Sequence, residues 1–141
     1  MTVVADASLA LKWVLPEEHT EDALALWDEW QDTGELIIAP PIFRPEVTNA
    51  LHQLVRRGHI GRSDAAEMLD SLISLVESRE PLELYGRALI LAGELGLSAA
   101  YDALYLALAE SEGCELWTAD RRLVRSVRAR FPLARWLADR P

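Results

Sequence analysis

Four acidic residues stand out by the company they keep. Asp6 follows directly on the β-prone run TVVA (2–5), and Asp120 follows directly on CELWTA (114–119). Asp102 sits within LGLSAAYDALYLALA (95–109), where it is the one charge. A helix apolar all round is a buried helix, and an ionised carboxylate placed there is costly unless paired or metal-bound. Glu46 follows Pro45, a residue suited to a first helical turn, and flanks the stripe Val47, Ala50, Leu51 and Leu54. Ser8 lies two residues after Asp6, and Thr118 two before Asp120. Carboxylates drawn together repel, and some take up protons unless a cation neutralises them. An all-oxygen group of this kind suits Mg²⁺, with Mn²⁺ as a substitute. Zinc is disfavoured, because Cys114 is the single cysteine and His19, His52 and His59 have no compact ligand spacing. Each position also has a structural reading. Asp6 and Asp120 suit helix N-caps, Asp102 a pairing with a buried Arg or the helix start, Glu46 a solvated flank, and the two hydroxyls either caps or orienters of a metal water.

The elements that must position these acids follow from pattern. Strands are predicted at 2–5, 35–40, 114–119 and 133–137, with a weak one at 81–85. Helices are predicted at 17–33, 42–57, 63–78, 86–95, 98–111 and 120–130. Strands separated by helices imply parallel pairing in an α/β sheet covered by helices on both faces. In such sheets chemistry sits beyond the carboxyl ends of the strands, where Asp6 and Asp120 fall.

The 141 residues suit one domain spanning 1–141. Hydrophobic residues at 50% and charged residues at 26% are globular proportions, which excludes a disordered or fibrous chain. Apolar runs such as LIIAPPIF (36–43) are too short to span a bilayer. The start, MTVVADASLALKW, lacks the basic region of a secretory signal, and the lone cysteine fits a reducing compartment, so a cytoplasmic location is expected. The net charge of −9 is unevenly spread. Residues 121–141 hold seven arginines against one acid, and residues 1–120 hold seven basic residues against 22 acids. Arg121, Arg122 and Arg125, with Arg128 and Arg130, are candidates for contacts to an RNA backbone, or form a solvated helix face. Trp13, Trp27, Trp30, Trp117 and Trp136 suit core packing or base stacking. Helices 42–57 and 63–78 carry apolar stripes that pack internally or dock a partner helix or a second copy.

Four segments together, VVADASLAL (3–11), PPIFRPEVTNAL (40–51), SAAYDALYLALAE (98–110) and LWTADRRL (116–123), resemble the PIN domain, and within it the VapC toxins of bacterial and archaeal toxin–antitoxin pairs. Their order, spacing and total length agree, so the resemblance covers nearly the whole chain. It implies a PIN-like three-layer fold with a mainly parallel central sheet flanked by helices. It also implies Mg²⁺-dependent ribonuclease activity leaving 5′-phosphate and 3′-hydroxyl ends, frequent homodimers, and inhibition by a cognate VapB-type antitoxin. By match to its motifs, Asp6, Glu46, Asp102 and Asp120 take the family's acidic, metal-binding positions, with Ser8 and Thr118 as supporting hydroxyls. Trp117 departs from the pattern, standing where a small aliphatic residue is expected.

Other classes fit less well. A phospho-acceptor receiver module needs an acidic pair beside the first strand and a late lysine, whereas Lys12 is the only lysine. A DxDxT phosphatase needs an Asp where Ser8 stands. A catalytically weak PIN-fold binding module is the alternative that survives.

Overall fold

The computed structural model describes residues 1–140; Pro141, the last residue of the expected domain, lies outside the described residues. The chain begins with strand β1 (Thr2–Ala5), whose Val3, Val4 and Ala5 are all buried. After helix α1 (Ala7–Leu11) and helix α2 (Thr20–Thr33) comes β2 (Leu36–Ala39), which pairs parallel with β1 through Val3 opposite Ile37. Helices α3 (Phe43–Arg56) and α4 (Arg62–Leu75) lead to the two-residue edge strand β3 (Glu77–Ser78) beside β2. Helices α5 (Leu84–Glu94) and α6 (Tyr101–Glu112) then return the chain to the other side of β1. There β4 (Leu116–Thr118), α7 (Arg121–Val127) and β5 (Ala134–Trp136) complete the sheet.

The spatial order is β3-β2-β1-β4-β5, and every pairing is parallel. The chain therefore winds outward from β1 in one direction and later in the other. This creates a topological switch point between β1 and β4, the crevice where doubly wound sheets bind ligands. The expected α/β architecture stands, with a sheet that is wholly parallel rather than mainly so.

Burial explains the layers. Val4, Ile37, Ile38 and Leu116 are buried on the sheet, as a parallel sheet covered on both faces requires. Helix α6 supplies Leu106, Leu108, Ala107 and Ala109, all at 2% exposure or less. It ends at Gly113, whose φ of 64° is a left-handed turn that favours glycine.

Several expectations are corrected. Helix α1 has no counterpart in the sequence reading, because five residues are too few to show a period. Residues 81–85 are not a strand: the Leu84 amide bonds the Pro81 carbonyl at 3.0 Å, closing a turn that opens α5, and Leu82 is 98% exposed. The edge strand lies at 77–78 instead, inside the span expected to finish a helix. Helix α2 starts three residues late because Thr20 Oγ1 accepts from the Glu17 amide at 2.8 Å, holding 17–19 in a turn. Helix α6 starts at Tyr101 rather than 98. Helix α7 ends at Val127, so Arg128 is its C-cap and Arg130 lies beyond it.

Candidate active site

Asp6 is the centre of the carboxyl edge. It terminates β1 and caps α1, accepting from the Leu9 amide at 3.0 Å on Oδ1. It is 7% exposed. Ser8 donates to the same oxygen at 2.7 Å, and Thr118 donates to Oδ2 at 2.5 Å. Both hydroxyls also accept from the β4–α7 turn, Ser8 from the Ala119 amide at 3.1 Å and Thr118 from the Asp120 amide at 2.9 Å. The two hydroxyls thus lock the end of β4 to the end of β1. Burial pushes the Asp6 carboxyl up to about 6; the bonds from Thr118, Ser8 and Leu9 oppose that rise, and the charge of Asp102 adds to it.

Asp120 follows β4 and caps α7, accepting from the Leu123 amide at 3.1 Å. The capping reading of both aspartates is therefore real, and it coexists with their place at the switch point. Glu46 sits in the first turn of α3, half-buried. Tyr105 of α6 donates to its Oε1 at 2.5 Å. Burial raises the Glu46 carboxyl, the Tyr105 bond lowers it, and the charge of Asp102 raises it again.

Asp102 differs from expectation. It is exposed, in the first turn of α6, rather than enclosed by a wholly apolar helix. The later helix start explains this: 102 stands at the mouth of α6, where the helix dipole favours a carboxylate. Partial burial of its carboxyl and the charge of Asp120 still raise it above the ordinary range. Asp102 therefore feels Asp120 and is felt by both Asp6 and Glu46. Four carboxylates from β1, α3, α6 and the β4–α7 turn share one electrostatic neighbourhood.

The donor set is all oxygen, which suits a hard divalent ion, and Asp6, Glu46 and Asp102 are raised first by burial and then by a neighbouring carboxylate. As they lie, no three His, Cys, Asp or Glu side chains among the described residues stand close enough to hold an ion. The acids meet at electrostatic range rather than ligand range. Asp6 has both oxygens engaged, yet each carboxylate oxygen accepts two bonds, and Oδ2 receives one here.

The other candidates disperse. Arg121, Arg122 and Arg125 are exposed on α7 and make no ion pair among the described residues. Arg121 lies over the Trp136 ring at 4.6 Å. Arg128 pairs with Asp139, and Arg130 donates to the Glu94 carbonyl, which removes both from the expected basic face. Trp30 and Trp117 are buried and meet edge to face at 6.4 Å, so they are core rather than stacking platforms.

Tyr105 was missed from sequence. The signal was present: a hydroxyl inside a buried helix needs a partner, and position 105 shares a helix face with 102.

The chain as a whole is similar to known proteins. The PIN domain matches residues 3–128 of the chain. Ribonuclease VapC9 of Mycobacterium tuberculosis is 31% identical over 132 residues, which is 93% of this chain and 95% of that protein. The crystal structure of PAE2754 from Pyrobaculum aerophilum is similar with a TM-score of 0.73 at 26% identity, covering 97% of this chain and 90% of that one. That of VapBC2 from Rickettsia felis, bound to a DNA fragment from their promoter, has a TM-score of 0.69 over 96% of this chain and 97% of that one. At 16% identity the second likeness concerns the fold alone.

Proposed function

The chain belongs to the PIN domain family, and from that premise we propose that it is a Mg²⁺-dependent endoribonuclease, the toxin of a VapBC-type toxin–antitoxin pair. The observation that carries this reading is that Asp6 and Asp120 end β1 and β4 at the switch point of the sheet, while Asp102 lies within electrostatic reach of Asp6, Glu46 and Asp120. The match to a protein named as a ribonuclease supports the substrate class.

Asp6 and Asp102 would hold the ion, with Glu46 and Asp120 completing the set. A bound divalent ion supplies charge for the scissile phosphate and acidifies the attacking water. The chain's own part is arrangement. Ser8 and Thr118 hold both Asp6 oxygens in place, so this carboxylate is oriented before any ion arrives. Asp120, fixed by its cap to α7, presents the second acid of the switch point. Arg122 and Arg125, exposed and unpaired among the described residues, supply phosphate contacts on the flank.

Two surfaces fit the expected partners. The groove between α3 and α4, about 580 Å³, is lined by Leu51, Val55 and Leu69, with Arg56 and Arg62 at its rim. It suits an amphipathic inhibitor helix, and α3 leads from it directly to Glu46. A second groove of about 600 Å³, lined by Ile42, Tyr85, Leu89, Tyr101 and Leu104, contains no acid. Neither groove holds an acid, and the second, lined by apolar and tyrosine side chains without a charge, suits contact between two copies of a chain of net charge −9.

The test is RNA cleavage by wild type, Asp6→Asn and Asp102→Asn, with Mg²⁺ and with chelator. Cleavage is expected only with metal, and is lost in both variants while their circular dichroism stays native. Unchanged cleavage by Asp102→Asn overturns the proposal. The absence of a ready three-acid cage favours one alternative, a weak PIN-fold binding module. Calorimetry separates the two, since that module binds no Mn²⁺.

A further inference from the structure

We infer that Tyr105 is a positioning residue that fixes Glu46 for the metal-dependent reaction, an inference that rests on the nuclease reading above. Tyr105 is 2% exposed, so its phenol cannot turn to solvent for a partner. Its hydroxyl donates to Glu46 Oε1 at 2.5 Å, and the backbone amide of Ala7 faces the phenol oxygen itself. One atom thus joins α6, α3 and the start of α1, the three helices that carry or adjoin Asp102, Glu46 and Asp6. Tyr105 and Asp102 lie three residues apart on α6, so a single helix brings one acid to the site and holds another there.

The chemistry of the pair gives the tie its purpose. Glu46 reaches the site on a flexible side chain from a half-buried position, whereas Asp6 is already fixed by two hydroxyls and an amide. Without the phenol nothing among the described side chains holds Glu46. Oε1 is engaged by the phenol, and Oε2, which accepts no bond among the described side chains, would be the oxygen Glu46 offers to an ion. Groups that orient a ligand in this way typically change metal affinity or activity by about 10–100-fold when removed. A phenylalanine would fill the same core volume and supply no donor, which is why the hydroxyl rather than the ring is the informative part.

The experiment uses Tyr105→Phe, Glu46→Gln and the double variant in the full chain. Calorimetric Mn²⁺ affinity and kcat and KM on a single-stranded RNA are the first readouts. Tyr105→Phe is expected to weaken Mn²⁺ binding and lower kcat by about 10-fold with KM little changed. Added to Glu46→Gln, it should change either quantity by less than about twofold, because the two residues act as one unit. Equal losses in both backgrounds would mean that the phenol acts through packing, and the inference fails. A further readout needs no metal or substrate: the Glu46 carboxyl, followed by ¹³C NMR in chelator, should titrate at higher pH in Tyr105→Phe, since its stabilising donor is gone. An identical Glu46 titration in the two proteins overturns the tie. If wild type binds no Mn²⁺ and cuts no RNA, the nuclease reading fails, and the NMR comparison still decides whether Tyr105 holds Glu46.

Discussion

Asp6 carries its charge at a disadvantage, and that shows in the pH dependence of stability. Its folded-state carboxyl is pushed up to about 6 by burial, whereas in an unfolded chain it titrates near its ordinary value of about 3.9. Between those values the folded state binds more protons, so stability falls as pH rises through this window. In chelator the melting temperature should therefore drop from pH 4 to pH 6, by the equivalent of about 3 kcal/mol at most. Asp6→Asn keeps an oxygen for the α1 cap and should be flatter with pH and more stable than wild type at pH 7. A wild-type curve that instead rises over this range would show that the hydroxyls of Ser8 and Thr118 outweigh burial. Divalent ions should restore the stability that the charge removes, since whatever binds only the folded state stabilises it.

At the scale of elements, α6 and the α7 cap divide structure from chemistry. Leu106 and Leu108 are fully buried between the sheet and the neighbouring helices. Truncating either to alanine should cost about 2–5 kcal/mol in urea unfolding through the cavity left behind. Metal affinity, measured where the variant is still folded, should be retained. Asp120→Ala should do the reverse. Losing the cap of a seven-residue helix costs about 1 kcal/mol, whereas cleavage should fall by an order of magnitude or more if Asp120 serves the site. Should cleavage survive, Asp120 is a cap and nothing else. The short elements were also the ones hidden from sequence. The two residues of β3 and the five of α1 carry no periodicity to read. The start of α6 was set too early because Ser98 looks like an N-cap, while its run of small residues is exposed and non-helical.

For the whole molecule, charge is the organising quantity. An acidic body must engage a polyanion, and α7 presents the exposed, unpaired guanidinium groups among the described residues nearest Asp120. Arg122→Glu with Arg125→Glu should raise KM for RNA, flatten its salt dependence and leave kcat nearly unchanged. No effect on KM at low salt would place the RNA elsewhere. The acid-free apolar groove gives a matching prediction for assembly. Leu89, 70% exposed, changed to Asp should convert a dimer to a monomer in sedimentation without unfolding the chain. A monomeric wild type would remove that surface from consideration.

The sequence by itself determined the apolar strands β1, β2 and β4, the alternation that makes the sheet parallel, and the identity of the four acids, because hydrophobic period and residue type are local properties. It also carried the hydroxyls of Ser8 and Thr118 as candidates, though with two roles each. Only the tertiary structure showed a third role, in which both hydroxyls donate to Asp6 and accept from the β4–α7 turn. The contact of Thr118 with Asp6 spans 112 positions and that of Tyr105 with Glu46 spans 59. Asp102 proved exposed, against the reading of its neighbours, because helix starts depend on how the preceding turn packs. Winding the chain outward from β1 in both directions set Thr118 beside Asp6 and Tyr105 beside Glu46, and no local pattern encodes which partners a crossover will deliver.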